Sequence, residues 1–145
     1  MKIEGILRTK GHDVVTIPES RTVLDAAQLL VERNIGSLVV MGDQGPVGII
    51  TERDVLRLAA DASADLGAIR VSSAMTREMI TAGPDASLVS VMDTMTEHRI
   101  RHLPVLDGDQ LAGIVSIGDL VNACRISAEQ ENSALREYIQ GAGAA

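Results

Sequence analysis

The sequence predicts an α+β fold made of two copies of one βαββα unit, related by a pseudo-two-fold axis. Three observations carry this. A shift of 65 positions lays Thr16 on Thr81, Glu32 on Glu97, Leu38 on Leu103, Gly48 on Gly113 and Asp54 on Asp119, with no gap from Val14–Leu56 to Met79–Val121. A repeat at fixed offset marks one supersecondary unit used twice, and two copies make a paired module with a cleft between halves. Strand and helix periodicities also follow in the same order in each copy. Finally, the 145 residues are 46% hydrophobic but 1% aromatic, so the core must be aliphatic, which suits close helix-on-sheet layers.

Each copy opens on a short strand, Val14–Ile17 or Met79–Ala82, with Pro18 and Pro84 closing these segments. A helix follows from a hydroxyl cap at Thr22 or Ser87, and Thr22 with Asp25 reads as a capping box. Val23, Ala26, Ala27 and Leu30 form its apolar stripe, and Leu88, Val91, Met92 and Met95 repeat it, so these methionines belong to the core. Two hairpins come next: Ser37–Met41 with Pro46–Ile50, and His102–Leu106 with Leu111–Val115. Their connectors, Gly42-Asp43-Gln44-Gly45 and Asp107-Gly108-Asp109-Gln110, carry turn chemistry. The strands are apolar on nearly every residue, which predicts cover on both faces, while Pro104 predicts an edge or a mouth of its sheet. A second helix starts in each copy at Thr51 or Ser116. A final helix is expected over Glu129–Ile139, with Leu135, Tyr138 and Ile139 docking on the body or a partner, and Gly141–Ala145 as a disordered tail. The resulting division is 1–66 for the first repeat with its lead-in, 67–126 for the second with its lead-in, and 127–145 for the C-terminal helix and tail.

A net charge of −7 and the lack of aromatic platforms read against nucleic-acid binding. One cysteine excludes an internal disulfide and a multi-cysteine zinc site, and Cys124 is read as a buried, inert thiol. His12 and His98 read as surface residues, and no two histidines have metal-ligand spacing. Without a secretion signal at the N-terminus or an apolar run of about 18 residues, a soluble, cytoplasmic protein with no membrane partner is expected.

The repeated chemistry is Gly48-Ile49-Ile50-Thr51-Glu52-Arg53-Asp54, matched by Gly113-Ile114-Val115-Ser116-Ile117-Gly118-Asp119. A hydroxyl at a helix start lies beside free amides that suit phosphate. The aspartate three residues on shares its face, and a carboxylate can accept from two ribose hydroxyls. The pair therefore reads as a nucleotide site. The same residues also make a capping box with no further role, but finding them twice, each time after a glycine-led apolar strand, favours the ligand reading.

These segments, with Arg99-Ile100-Arg101-His102-Leu103-Pro104-Val105 and the lead-in Val71-Ser72-Ser73-Ala74-Met75-Thr76, resemble a tandem pair of CBS (cystathionine β-synthase) domains, a Bateman module, here in a small stand-alone chain. The resemblance covers almost the whole chain. It implies repeats packed sheet to sheet, two clefts, and adenosine-containing regulatory ligands such as AMP, ADP, ATP, S-adenosylmethionine or a dinucleotide. It places Asp54 and Asp119 on ribose, Thr51 and Ser116 on ribose or phosphate, and Thr16 and Thr81 beside adenine. Arg101 and His102, with Leu103 and Pro104 after them, match positions that face phosphate in the second site. The first copy has Gly36 and Ser37 there and offers Arg53, so the two sites are expected to differ. The resemblance also implies a homodimer and an unknown protein effector. With no nucleophile–base pair, metal cluster or Walker loop in the sequence, the expected function is a non-catalytic nucleotide sensor. The alternative is a structural CBS dimer without functional nucleotide binding.

Overall fold

The computed structural model describes residues 1–143. It opens on helix α1 (Ile3–Lys10), which the sequence reading did not anticipate: eight residues with three buried apolar side chains, Ile3, Ile6 and Leu7, give too short a pattern to stand out. The first repeat follows as β1 (Thr16–Pro18), α2 (Val23–Arg33), β2 (Ser37–Gly42), β3 (Gly45–Thr51) and α3 (Glu52–Ala59). The predicted capping box starts α2: Asp25 N donates to Thr22 Oγ1 and Thr22 N donates to Asp25 Oδ2, both at 3.1 Å. Strand β1 pairs parallel with β2, which pairs antiparallel with β3.

The second repeat is led in by the short helix α4 (Val71–Ala74) and continues as α5 (Leu88–His98), β4 (His102–Asp107), β5 (Gln110–Ser116) and α6 (Ile117–Gly143). Both hairpins fall where predicted, and even their irregularities obey the 65-residue offset: the register shifts at Val40/Met41 and at Val105/Leu106. The strand expected over Met79–Ala82 is reduced to a single bridge, Ala82 with Val105. Pro104 explains the loss. Its counterpart Val39 donates its amide to Val15 O, a ladder bond that a proline cannot make.

Two aliphatic cores form. Ile17, Val23, Ala26, Leu30, Leu38, Val40 and Ile50 make the first, completed by Val71 and Met75 from the second repeat's lead-in. Leu88, Val91, Met95, Leu103, Val105, Val115 and Leu120 make the second, completed by Ile3, Ile6 and Leu7 of α1. The lead-ins are thus exchanged, and each is anchored by matching amide bonds. Ile3 N donates to Ala86 O and Glu4 N to Pro84 O, while Val71 N donates to Arg21 O and Ser72 N to Glu19 O.

The C-terminal part differs from expectation. No proline or glycine interrupts the chain from Leu120 to Gln140, so α6 runs on as one helix of 27 residues. It includes Gly141–Gly143, where a tail was expected; Ala144 and Ala145 lie outside the described residues. Leu135, Tyr138 and Ile139 do not dock on the body and are exposed. Cys124 is likewise exposed, on the part of α6 that leaves the body, with its sulfur 3.9 Å from Met92 Sδ.

Candidate functional site

The site begins at the junction of β3 and α3. Thr51 is the N-cap: Thr51 N donates to Asp54 Oδ2 at 2.9 Å, its hydroxyl donates to the same oxygen at 3.1 Å, and Asp54 N donates to Thr51 Oγ1 at 3.3 Å. All the carboxylate bonds fall on Oδ2, so among the described residues Oδ1 keeps its full accepting capacity. The two roles foreseen for this aspartate, helix cap and ligand acceptor, use different oxygens.

Opposite Asp54 lies the chain that enters the second repeat. Thr76 bridges to Ile49, its amide donating to Ile49 O at 2.9 Å and its carbonyl accepting from Ile49 N at 3.0 Å. This bridge aligns the segment from Thr76 to Ile80 along the mouth of β3. The third wall is the end of α5, where Arg99 takes the left-handed conformation at φ 55°. That conformation is uncommon outside glycine, Asn and Asp, and its pseudo-symmetric counterpart is Asn34. Between these walls is a cleft of about 630 Å³.

Of the residues singled out in the sequence, Gly36, Thr51, Arg53, Asp54, Arg101, His102 and Pro104 line this cleft. The structure therefore groups Arg101 and His102 with Asp54, where the sequence reading put them with Asp119. The reason is the crossing of the repeats: the start of β4 faces the helix start of the other repeat. Within β4, His102 and Pro104 face the cleft, while alternation sends Leu103 and Val105 into the core. Thr16 and Thr81 are exposed outside the cleft, and Ser37 is buried at 7% exposure. Ser116 and Asp119 lie at the pseudo-symmetric position.

Sequence reasoning missed Arg57, Glu78 and Arg99, and the apolar wall of Ile49, Met79, Ile80 and Ile100. Arg57 sits one helical turn beyond Arg53, which helical spacing alone could have paired with it. Arg53, Arg57, Arg99 and Arg101 all line the cleft, and none has a carboxylate partner within 4.0 Å among the described residues. Glu52, Asp54 and Glu78 line the same cleft, so the four guanidinium groups leave it a small positive balance in a chain of net charge −7. No cluster of potential metal ligands occurs among the described residues.

His102 sits at the centre, beside Gly36. A Cβ on Gly36 would lie 3.0 Å from His102 Cε1 and Nε2, so this glycine makes room for the ring. Burial pushes the His102 pKa below its ordinary value; the Glu52 carboxylate opposes this, the Lys10 ammonium adds to it, Asp119 opposes and Arg101 adds. Burial thus favours the neutral imidazole in the ligand-free cleft.

The pseudo-symmetric position is differently furnished. Ser116 N donates to Asp119 Oδ2 at 2.8 Å and Asp119 N to Ser116 Oγ at 3.1 Å, repeating the Thr51–Asp54 cap. Here, however, Lys10 Nζ also donates to Asp119 Oδ2 at 2.6 Å and to Ile114 O at 2.7 Å. Burial works against the charged form of Asp119, but the Lys10 hydrogen bond and charge, with the bonds from Ser116, hold its carboxyl below the usual range.

The family model of the CBS domain matches residues 4–61 and 71–126. A mitochondrial CBS domain-containing protein of Arabidopsis thaliana, CBSX3, is 40% identical over 96% of this chain and 72% of its own length. The CBS domain-containing protein YhcV of Bacillus subtilis is 37% identical over 92% of this chain and 94% of its own. Among solved structures, a CBS-domain protein from Agrobacterium tumefaciens superposes at a TM-score of 0.81 with 37% identity, covering 85% of this chain and 98% of that one. Two more distant ones, both 26% identical, hold ligands. The CBS domain pair of protein MJ0100 (TM-score 0.77, 88% of this chain and 98% of that one) is in complex with 5′-methylthioadenosine and S-adenosyl-L-methionine. A CBS domain protein from Pyrobaculum aerophilum (TM-score 0.74, 82% and 89%) is complexed with AMP. A cyanobacterial CBS-CP12 protein (28% identical, TM-score 0.77, 94% and 83%) is hexameric. Two matched repeats, the shared architecture and identities near 40% over nearly the full chain leave one conclusion: this chain belongs to the CBS domain family, as a tandem pair.

Proposed function

We propose that the cleft at Asp54 binds one adenine nucleotide and that the chain is a non-catalytic sensor that passes ligand state to a partner protein. The observation that carries this is the pairing of an open carboxylate oxygen, Asp54 Oδ1, with four arginines that lack carboxylate partners. The ribose hydroxyls donate to Asp54, the phosphates meet Arg53, Arg57, Arg99 and Arg101, and the base lies on Ile49, Met79, Ile80 and Pro104. AMP and S-adenosyl-L-methionine in related CBS pairs support the adenosine part. The arginines favour phosphate over a cationic sulfonium.

The sensor works as a homodimer in this reading. The exposed apolar side chains Leu24 and Val89, and Leu56 and Val121, are pairs at the same 65-residue offset, so each repeat offers an equivalent apolar face. An exposed free thiol at Cys124 fits a reducing compartment such as the cytoplasm. Among the described residues, no helix is long and apolar enough to cross a membrane.

Calorimetry with adenosine, AMP, ADP, ATP and S-adenosylmethionine tests the ligand reading. Affinity is expected to rise from adenosine to the phosphorylated ligands. Equal affinity for adenosine and ATP rejects the arginine role, and no binding by any of them leaves the structural dimer as the function.

A further inference from the structure

The two lead-ins are related by a shift of 68 residues, not 65. Ile3 matches Val71 in its amide bond, and Leu7 matches Met75: the first fills the space beside Gly113 and the second the space beside Gly48. From there to the start of the repeat, the first copy is longer. Seven positions separate Leu7 from Val14, but four separate Met75 from Met79. The three extra residues amount to one helical turn, and α1 uses them to continue through Arg8 and Thr9 to Lys10.

That turn changes what meets the neighbouring strand. In the Asp54 cleft, the backbone amide of Thr76 donates to Ile49 O. Its counterpart, Arg8, lies within α1 and makes no such bridge. The carbonyl of Ile114, the counterpart of Ile49, instead accepts from Lys10 Nζ at 2.7 Å. The same ammonium reaches Asp119 Oδ2 at 2.6 Å. Its side chain is 32% exposed and the carboxylate 25%, so the pair is partly withdrawn from water. His12, just past the end of α1, adds a contact from Nδ1 to Ala112 O at 3.1 Å. This side also lacks the arginines: Gly36 stands opposite Arg101, Gly118 opposite Arg53 and Asn122 opposite Arg57.

We propose that Lys10 is a built-in occupant of the Asp119 position, closing the second cleft so that each chain takes a single nucleotide, at Asp54. This rests on the nucleotide reading of Asp54 given above. Lys10 shares the cap oxygen Oδ2 and leaves Oδ1 open, so a ribose entering at Asp119 meets a carboxylate whose charge the ammonium already neutralises, with no arginines to compensate, which weakens that site by roughly 10–100-fold relative to the first.

The chain holds only two lysines, Lys2 and Lys10, so lysine acylation read by peptide mass spectrometry has an internal reference. Lys2 is 67% exposed and 3.7 Å from Asp85. In the parent protein Lys10 is expected to react about tenfold more slowly than Lys2, and in Asp119→Asn at a similar rate. Equal rates in the parent overturn the plug. Native mass spectrometry with AMP supplies the second arm: one nucleotide per chain for the parent and two for Lys10→Met. Two on the parent, or one on both, overturns the inference and leaves the nucleotide reading standing. None on either rejects the nucleotide reading at Asp54, and acylation alone then decides whether Lys10 is seated on Asp119.

Discussion

Asp54 divides its work between two oxygens, and this separates binding from folding in a measurable way. Asp54→Ala is expected to weaken AMP binding roughly 10–100-fold through loss of the Oδ1 acceptor. It also removes the carboxylate's half of the capping box, the acceptor for Thr51 N and Oγ1, while the amide of residue 54 still donates to Thr51 Oγ1, at about 0.5–1.5 kcal/mol of stability. Calorimetry and urea unfolding on the same variant read the two effects, and parent-like affinity in a weakened fold would show that the aspartate only caps. His102 gives a pH signature. Its folded pKa lies below the ordinary 6.5, so the unfolded chain takes up its proton first as pH falls. The stability that this provides is complete above about pH 6.5 and is lost as pH falls through the folded value. Asp119, also depressed, adds its own loss only below its ordinary 3.8. Urea midpoints are expected to drop between pH 7.5 and 5.5 and to flatten over that range in His102→Gln; an unchanged slope would assign the drop elsewhere.

At the scale of elements, the two conserved-offset glycines meet different neighbours. A Cβ on Gly48 would lie 2.7 Å from the backbone oxygen of Thr76 and 2.7 Å from Met75 Sδ, whereas the three atoms nearest to one on Gly113 all belong to the Leu7 side chain, from 2.7 Å. Backbone cannot step aside as a side chain can. Gly48→Ala is expected to cost about 1–3 kcal/mol and to disturb the Asp54 cleft, with Gly113→Ala costing less; a reversed order in thermal unfolding would contradict the bridge geometry. The repeat, hairpins, caps and both aspartates were legible because each is a local pattern seen twice. What was not legible depends on contacts distant in sequence. Nothing local shows that α1 completes the far core, or that the start of β4 faces α3, so the sequence could not show that Arg101 and His102 line the same cleft as Asp54. The uninterrupted α6 was hidden for another reason: its outer turns bury nothing, so no apolar stripe joined Asn122 to Glu129.

Across the whole molecule, the matched apolar pairs Leu24 with Val89 and Leu56 with Val121 leave exposed apolar side chains at equivalent places on the helices of the two repeats. A two-fold interface makes such a surface self-complementary. Sedimentation equilibrium is expected to give a dimer that Leu56→Glu weakens; a single-chain mass at micromolar concentration would rule it out.

The exchanged lead-ins tie the halves together, each completing the other's core. Cut the chain near residue 66, and each fragment carries off the helix that seals the other's interior: Ile3, Ile6 and Leu7 leave with the first, Val71 and Met75 with the second. Alone, each piece is an open box holding its neighbour's lid. Mixed, they can close only by trading, so refolding of the pair should follow second-order kinetics, with neither fragment acquiring structure by itself. The protein is in this sense a handshake written on one strand, and a ready scaffold for a split reporter whose two parts recover their shape only in each other's company.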